Sequence, residues 1–338
     1  MAEATLLSVD VRERSQVAEA RRRAYDMAHR VGLGDAEAAR AALVATEAAT
    51  NLVKYGREGE MLVAPCADAM APSVTIAAVD RGPGIANPAE CIEDGFSTGE
   101  GPGLGLGTIR RQSDRFDIFS VPGEGTAVVA TIRRRDAAEP HSVDLVAEFG
   151  AFAVPATGEV DCGDGWTVRR RGGAIDLMVC DGLGHGSPAA AATDAARAAF
   201  AATSGTNAPD DWLAEIDAAL VGTRGAAVAI ATIDRTRSIV RFIGIGNIAG
   251  WLRHEGGTAR TVSYEGIVGR NIARARVVEY AYEGELLAVF SSDGLATRWD
   301  LGRYRGLVAR DPITIASVLY RDFRRKRDDC TVVACRIP

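Results

Sequence analysis

Two polar side chains four residues apart, Glu47 and Asn51 in "LVATEAATNLVKYG", could do phosphate chemistry. Residues four apart share one face of a helix, so both side chains would point toward one ligand. The Asn51 amide oxygen can ligate a hard cation such as Mg²⁺, and the Glu47 carboxylate can accept a proton from an attacking hydroxyl. Taken alone, the pair also fits a solvated helix face.

A third polar group, Asp80, ends the apolar run "SVTIAAVD" and is followed by Gly82 and Gly84. A carboxylate at the end of a buried strand can accept a hydrogen bond from an exocyclic amine such as that of adenine. The two glycines would let the backbone approach a ligand closely and adopt a positive φ. The pattern predicts a nucleotide-base site at this strand end.

Five glycines lie between Gly99 and Gly107, directly before the helical pattern "TIRRQSDRF". Backbone N–H groups of such a loop, together with a helix N-terminus, form an anion site. No Gly-Lys-Ser/Thr follows, which excludes a P-loop, and the position does not fit a dinucleotide fingerprint. By itself the stretch fits either a lid over phosphates or a surface loop.

The second half of the chain carries acidic residues where apolar runs end. They stand in "DCGDGW", "MVCDGLGHG", "VFSSDGLAT" and "RDDCTVV", as Asp164, Asp181, Asp293, Asp328 and Asp329. Aspartates after strands can converge at one edge of a sheet sandwich, where they suit Mg²⁺ or Mn²⁺. Two such ions can activate a water for attack on phosphorus. Each Asp-Gly alone is also an ordinary turn.

The elements that must position these groups fall into two domains, as expected for 338 residues. The stretch "RRRDAAEPHS" is the predicted linker. We predict a first domain over 1–135, a linker over 136–141 and a second domain over 142–338. Helices are predicted at 12–31, 35–55 (capped by Asp35), after Gly107, and at 189–202, 208–220 and 312–324, with strands at 73–80 and 125–132 and a strand-rich second domain.

Composition narrows the class of protein. The chain is 47% hydrophobic and 25% charged with a net charge of -6, so it is globular, and nonspecific nucleic-acid binding is not favoured. No apolar run approaches the roughly 20 residues of a membrane span. The six cysteines form no CxxC pair. These features predict a cytoplasmic protein without a nucleic-acid or membrane partner.

The order Glu…Asn, Asp-x-Gly-x-Gly, glycine loop and "GEGT" resembles the GHKL (Bergerat) ATP-binding fold over most of residues 35–132. "RGPGI", "EDGFST" and the glycine loop resemble the RsbT-type serine kinases that act on stressosome and anti-anti-sigma proteins. The resemblance implies that Asn51 holds Mg²⁺ with ATP, Glu47 activates the accepting hydroxyl and Asp80 binds adenine. It extends the ATP-binding set to Gly82, Gly84, Gly101, Gly103, Leu104, Gly105, Leu106, Gly107 and Thr126.

The acidic motifs resemble the metal-dependent PPM phosphatases, in their SpoIIE/RsbX-like branch, over most of residues 142–338. The resemblance implies metal ligation by Asp181, Asp293 and Asp328 with the carbonyl of Gly182, and makes Asp181 and Asp293 catalytic. Asp164 lies at the first acidic motif of this branch, and either Asp328 or Asp329 is the last ligand. No clear counterpart exists for the basic residue that binds substrate phosphate in eukaryotic relatives, and His185 is interpreted as a supporting group.

The expected fold class is α+β, a GHKL α/β sandwich followed by a PPM-type αββα sandwich. The expected function is a bifunctional switch that phosphorylates a STAS-type regulatory protein with Mg-ATP and dephosphorylates it, or a related partner, with two Mn²⁺ or Mg²⁺ ions. A sigma factor or a downstream signalling protein is a further candidate partner. Two alternatives stay open: an anti-sigma-factor binding module with a regulatory phosphatase, and a phosphatase regulated by an ATP-sensing first domain.

Overall fold

The computed structural model describes residues 6–66, 72–92, 105–134, 147–203, 208–272 and 275–338. The predicted linker over 136–141 lies outside these ranges. The chain divides into two compact units. The first unit is Met1–Val143 with Asp300–Asp322, and the second is Asp144–Trp299 with Phe323–Pro338.

The first unit places helices on one face of an antiparallel sheet whose strand order is β1-β2-β3-β5-β4. Its elements are β1 (Leu7–Asp10), α1 (Arg14–Arg30), α2 (Asp35–Tyr55), β2 (Glu60–Pro65), β3 (Ser73–Asp80), α3 (Pro88–Ile92), α4 (Gly105–Gln112), β4 (Arg115–Val121) and β5 (Gly125–Arg133).

Helix α2 carries small apolar side chains every three or four residues, and this spacing builds its buried face. Ala41, Ala45, Ala48 and Leu52 all lie in the core beneath it. The helix ends at Gly56, whose N–H donates to the carbonyl of Leu52 at 2.9 Å. The cap at the other end is Gly34, so the expected capping role of Asp35 is wrong and Asp35 is the first helical residue.

Strand β3 is buried along all eight residues, which means that both faces of the sheet are covered at this strand. Val74, Ile76 and Ala78 belong to the core shared with the helices. Side chains alternate along a strand, so Asp80 continues this row and lies on the helix side of the sheet.

The second unit contains two antiparallel five-stranded sheets, with orders β15-β10-β9-β8-β7 and β12-β11-β16-β17-β6. Its elements are β6 (Glu148–Val154), β7 (Asp164–Arg171), β8 (Ala174–Gly182), α5 (Ser187–Ala202), α6 (Pro209–Leu220), β9 (Ala226–Asp234), β10 (Ile239–Ile245), β11 (Ala249–His254), β12 (Gly257–Arg260), β13 (Gly266–Ile267), β14 (Asn271–Ile272), β15 (Val278–Ala281), β16 (Leu286–Ser291) and β17 (Cys330–Ile337).

The core of the second unit has two layers. Phe242 of β10 stacks on Phe290 of β16 with ring centroids 6.1 Å apart, which joins the inner faces of the two sheets. On the outer face of the first sheet, Phe200 of α5 meets Trp212 of α6 edge to face at 5.9 Å. Both residues belong to the core that α5 and α6 form with β8, β9 and β10.

The segment Asp300–Asp322 lies late in the sequence but belongs to the first unit. It carries two short 3₁₀ turns and most of α7 (Pro312–Phe323), which is buried from Pro312 to Arg321. Arg115 of β4 makes a bidentate ion pair with Asp311 at 2.7 and 2.9 Å. The Tyr320 hydroxyl donates to Glu60 of β2 at 2.7 Å. These bonds hold the segment to β4, at one edge of the sheet, and to β2, next to the opposite edge strand.

The predicted helices agree with α1, α2, α5, α6 and α7 to within two residues at each end. The helix predicted after Gly107 begins at Gly105, and the two named strands of the first domain are β3 and β5. The short strands β1, β2 and β4 were not predicted. In the described part of the chain, no helix combines the length and apolarity that crossing a membrane requires.

Candidate ATP site and candidate metal centre

Asp80 lies at the C-terminal end of β3 and is 9% exposed. Its Oδ1 accepts the N–H of Gly82 at 2.6 Å. Among the described residues Gly82 is the only donor to this carboxylate, which leaves Oδ2 for a ligand. Burial raises the Asp80 pKa, while the Gly82 hydrogen bond and the positive charge of Arg321 oppose that rise.

The two glycines after Asp80 are required by close packing. A Cβ on Gly82 would lie 2.6 Å from Asp80 Oδ1 and 2.6 Å from the carbonyl oxygen of Tyr55. Gly84 has a φ of +69°, and a Cβ there would lie 2.1 Å from the carbonyl oxygen of Val121. The turn that contains Gly82 and Gly84 therefore packs tightly between the end of α2 and β4, and a side chain at either glycine would displace this turn.

Thr126 of β5, predicted to lie near the adenine, is the direct cross-strand partner of Asp80. Its hydroxyl lies 2.9 Å from the Ser120 hydroxyl, which accepts the N–H of Ile85 at 2.7 Å. Ser120 thereby links β4, β5 and the turn after Asp80. Sequence reasoning missed it because a lone serine on an apolar strand carries no distinctive pattern.

Glu47 and Asn51 lie on α2, and Asn51 faces the start of α4. A Cβ on Gly105 would lie 3.2 Å from Asn51 Oδ1 and 3.3 Å from its Nδ2, so only glycine leaves the amide undisturbed. Within the described ranges, neither the Glu47 nor the Asn51 side chain has a hydrogen-bond partner, so both can serve a ligand. Gly107 is buried and Leu106 packs against the core. Gly101, Gly103 and Leu104 lie outside the described residues.

In the second unit, Asp164 and Asp181 are direct cross-strand partners on β7 and β8. The Ser292 hydroxyl donates to Asp164 Oδ2 at 2.5 Å. Burial, and then the charge of Asp181, raise the Asp164 pKa well above its ordinary value. Burial, and then the charges of Asp293, Asp328 and Asp329, raise the pKa of Asp181 to about 7. The strand pairing thus places two carboxylates side by side.

Asp293 reaches the same end of the unit through a contact between two turns. A Cβ on Gly294 would lie 1.8 Å from the carbonyl oxygen of Asp329, so these backbones touch. The Asn247 amide donates to Asp293 Oδ2 at 2.6 Å. Burial, and next the charge of Asp328, raise the Asp293 pKa. Asn247 was not predicted, although it lies just after β10 in "GIGNIAG", a strand-end position like those of the aspartates.

Asp328 and Asp329 have different surroundings. Asp329 is 1% exposed, and its two oxygens accept the N–H groups of Ala156 at 2.7 Å and Gly163 at 2.8 Å. Asp328 is half-buried, and its Oδ1 accepts the N–H of Asp329 at 3.1 Å. Asp329 therefore ties neighbouring loops together, and Asp328 keeps oxygen lone pairs for a ligand.

Gly182 lies against backbone on both sides. Its N–H donates to the carbonyl of Gly163 at 2.9 Å, and a Cβ there would lie 2.3 Å from the carbonyl oxygen of Ala189. Only glycine fits between these groups. The predicted ligands are carboxylates and one backbone carbonyl, an oxygen-only set of the kind that Mg²⁺ and Mn²⁺ take.

The described residues contain no group of three acidic, histidine or cysteine side chains already drawn together as an ion site. The site aspartates nevertheless lie close enough to raise the pKa of Asp181 and Asp293 by mutual repulsion. Without a cation the negatively charged carboxylates repel one another, and a cation bound between them would remove this repulsion. The residues therefore fit a divalent cation, because their ligand atoms are all oxygens and because a cation would offset the repulsion among the aspartates.

Two other groups that the sequence brought to notice have protein partners. His185 Nδ1 lies 2.7 Å from Glu159 Oε1 on the exposed surface. Arg169 and Arg171, in the "RRR" run at the end of β7, both pair with the buried Asp176. The run therefore precedes a hairpin turn and carries a structural ion-pair network.

Two family models match the chain. The model described as histidine kinase-like ATPase domain matches residues 11–132, and the model described as stage II sporulation protein E matches residues 171–338. The serine/threonine-protein kinase RsbT of Bacillus subtilis (strain 168) is 36% identical over 114 residues, which are 34% of this chain and 86% of RsbT.

Two solved structures share the fold of part of the chain. The structure titled "The bacterial stressosome: a modular system that has been adapted to control secondary messenger signaling" has a TM-score of 0.52 at 27% identity, over 56% of this chain and 98% of that one. A crystal structure of RsbX in complex with magnesium has a TM-score of 0.52 at 17% identity, over 59% of this chain and 98% of that one.

The first domain therefore belongs to the RsbT family of GHKL-type serine/threonine kinases, and the second is a SpoIIE-type PPM phosphatase domain. The expected fold class, a GHKL-like ATPase fold followed by a PPM-type phosphatase fold, is confirmed.

Proposed function

We propose that the chain is a bifunctional switch enzyme that phosphorylates a serine or threonine of a STAS-type regulatory protein and removes phosphate from that protein or a related one. The observation that supports this most directly is the presence of two separate sets of chemical groups on one chain. The first unit holds the kinase-type residues around Asn51 and Asp80. The second unit gathers five aspartates at one end of its sheets.

In the kinase reaction, Asp80 would bind the adenine amine through Oδ2, and Asn51 would hold the Mg²⁺ that accompanies ATP. Glu47 would accept the proton of the acceptor hydroxyl as its oxygen attacks the γ-phosphorus, and ADP would leave with the bond electrons. Glu47 is half-buried, so part of its side chain stays open to a protein substrate. Its carboxylate is not engaged by any described group, so it can take this proton.

The kinase proposal is tested by replacing Glu47 with Gln, which keeps the shape of the side chain and removes the base. We expect phosphate transfer from labelled ATP to a STAS protein to fall at least about 100-fold, with ATP affinity unchanged. Glu37→Gln, on the same helix but about 15 Å away along its axis, is the matched control. Full transfer by Glu47→Gln would remove Glu47 as the base.

In the phosphatase reaction, Asp181, Asp293 and Asp328 would hold two Mn²⁺ or Mg²⁺ ions together with the Gly182 carbonyl. When bound, such ions lower the pKa of a shared water and favour its attack on phosphorus. Asp164, held by Ser292, and Asp329, held by two backbone N–H groups, would keep the strand ends and ligands in place.

This half of the proposal predicts Mn²⁺-dependent hydrolysis of an aryl phosphate. We expect the activity to be lost in Asp181→Asn and retained in Glu47→Gln, since the two sites lie in different units. Hydrolysis that continues at full rate after treatment with a chelator would contradict the metal-dependent mechanism.

A second candidate function, a phosphatase regulated by an ATP-sensing first domain, is favoured by one observation. Residues Asp300–Asp322 separate Asp293 from Asp328 in the sequence, and they fold as part of the ATP-binding unit. Under this function, ATP changes the hydrolysis rate without labelling any acceptor, and Asp311→Ala weakens that response. Transfer of labelled phosphate to a STAS protein would instead support the kinase.

A further inference from the structure

If the second unit is a phosphatase, as proposed above, the phosphate group of its substrate needs a cationic side chain to bind it. The inference that follows rests on that proposed function. The end of the sheets that would hold the metal ions carries five aspartates, and two divalent ions would offset four of these charges, so an incoming phosphate dianion still lacks a cation of its own. Arginine suits this task because its planar fork donates two parallel hydrogen bonds to phosphate oxygens.

Arg224 stands where such a cation is needed. It lies two residues before β9, whose first residues Ala226 and Ala227 pair with Gly182 and Asp181. The ladder continues beyond the strands, because the N–H of Leu183 donates to the carbonyl of Gly225 at 3.0 Å. Arg224 is thus anchored beside the turn that follows Asp181.

The guanidinium of Arg224 lies over this turn. A Cβ on Gly184 would lie 2.8 Å from Arg224 Nη1, and Gly184 has a φ of +88°, so glycine is what allows the approach. Among the described residues, the side chain makes one hydrogen bond, a long one of 3.5 Å to the carbonyl oxygen of Leu183. Within the described ranges no carboxylate pairs with Arg224, and the residue is exposed.

Another cation near the aspartates, Arg325, already interacts with a carboxylate. Arg325 lies close enough to Asp293 for its charge to oppose the rise in the pKa of that carboxyl. A guanidinium that compensates a neighbouring carboxylate offers less attraction to an incoming dianion. Within the part of the chain that the structure describes, Arg224 has no such neighbour.

We propose that Arg224 binds the phosphate group of the phosphoprotein substrate, with Gly184 leaving the space that its guanidinium occupies beside the Asp181 turn. Its role is electrostatic attraction and hydrogen bonding of the phosphate oxygens. The cation comes from the start of β9, a position that no sequence motif singles out.

The test compares full-length Arg224→Gln, Arg224→Lys and Arg237→Gln enzymes saturated with Mn²⁺. Arg237 follows the other end of β9, about 30 Å away, and is the matched control. For each enzyme, kcat and KM are measured with para-nitrophenyl phosphate, and inorganic phosphate is used as a competitive inhibitor. The unfolding curve, followed by tryptophan fluorescence, shows whether each variant is folded.

We expect Arg224→Gln to raise both KM and the phosphate inhibition constant by roughly tenfold or more, with kcat changed less than about threefold. Arg224→Lys should fall between, because it keeps the charge and loses the fork. Unchanged KM and inhibition constant in Arg224→Gln would overturn the proposal. So would the same changes in Arg237→Gln, or their appearance in Arg325→Gln alone.

Failure of the phosphatase function is distinguishable. If the wild-type chain hydrolyses nothing with Mn²⁺, the proposed reaction is wrong, and calorimetric binding of inorganic phosphate tests Arg224 directly. Weaker binding by Arg224→Gln than by wild type would support the site. Equal binding by the two, or no binding by wild type, would overturn it.

Discussion

Asp328 and Asp329 are adjacent in the sequence, yet their environments predict opposite responses to substitution. Asp329 is buried and accepts two backbone N–H bonds, from Ala156 and Gly163. Removing its carboxylate in Asp329→Ala leaves two buried donors unpaired, at about 1–3 kcal/mol each. We therefore expect the free energy of unfolding of the second unit to fall by about 2–6 kcal/mol.

Asp328→Ala should behave differently. Among the described groups, its carboxylate accepts only the N–H of Asp329, and its charge adds to the repulsion at Asp181 and Asp293. Without metal, we expect the substitution to change stability by less than about 1 kcal/mol. With Mn²⁺, the wild type gains stability because the ion binds only the folded state, and Asp328→Ala loses that gain.

The assay is urea unfolding followed by tryptophan fluorescence, with and without Mn²⁺. All four tryptophans lie in the second unit, so the signal reports that unit alone. Asp329→Asn is the graded control, since its amide oxygen can still accept one of the two bonds. If Asp328→Ala destabilises the metal-free protein as much as Asp329→Ala, or keeps the full Mn²⁺ response, the assignment of the two roles is refuted.

Three further predictions concern other sites. Burial and like charges raise the pKa of Asp181 to about 7, so the folded state binds the proton of this carboxyl more tightly than the unfolded state does. The free energy of unfolding of the metal-free second unit should therefore fall as pH rises from about 4 to about 7. The fall that this group causes is at most about 1.4 kcal/mol per pH unit. Asp181→Asn should flatten that slope in urea midpoints measured at pH 5 and 7, and an unchanged slope would contradict the cause. Asp311→Ala removes the ion-pair partner of Arg115. Hydrogen exchange of the α7 amides should then be roughly tenfold faster, which corresponds to about 1.4 kcal/mol. Unaltered exchange would show that this ion pair does not hold the segment. Gly105→Ala should weaken Mg-ATP binding several-fold, since its Cβ would press on the Asn51 amide, and calorimetry that finds wild-type affinity would argue against contact between that amide and the ligand.

Most helices of the first unit could be predicted from the sequence, because the spacing of apolar residues along the chain indicates a helix without any knowledge of its neighbours. The alanines of α2 recur at helical spacing and a glycine follows the last turn, so its bounds could be predicted without knowing its neighbours. The short strands β1, β2 and β4 were missed because four to seven residues of mixed polarity carry no distinctive period. They are fixed by strand pairing instead, β2 with β3, β4 with β5 and β1 with β2.

The sequence also named the aspartates of the candidate metal centre, since acidic residues at strand ends form a recognisable series. It could not choose between Asp328 and Asp329, because both come just before β17 and only the packing of that turn tells which carboxylate is buried. Asn247 and Arg224 were missed for a related reason. Each reaches the site from a different strand end, and the pairing that brings those ends together is long-range.

The sequence by itself determined the order of the ATP-binding motifs, the strand-end aspartates and the division into a kinase-type and a phosphatase-type domain, because each is a local pattern of residue types. Only the tertiary structure decided that Asp300–Asp322, which lies late in the sequence between Asp293 and Asp328, folds with the first unit. Its ion pair with Arg115 and its hydrogen bond to Glu60 join residues 196 and 260 positions apart. No local pattern encodes such partners, since the choice depends on which buried surfaces complement each other once both elements have formed.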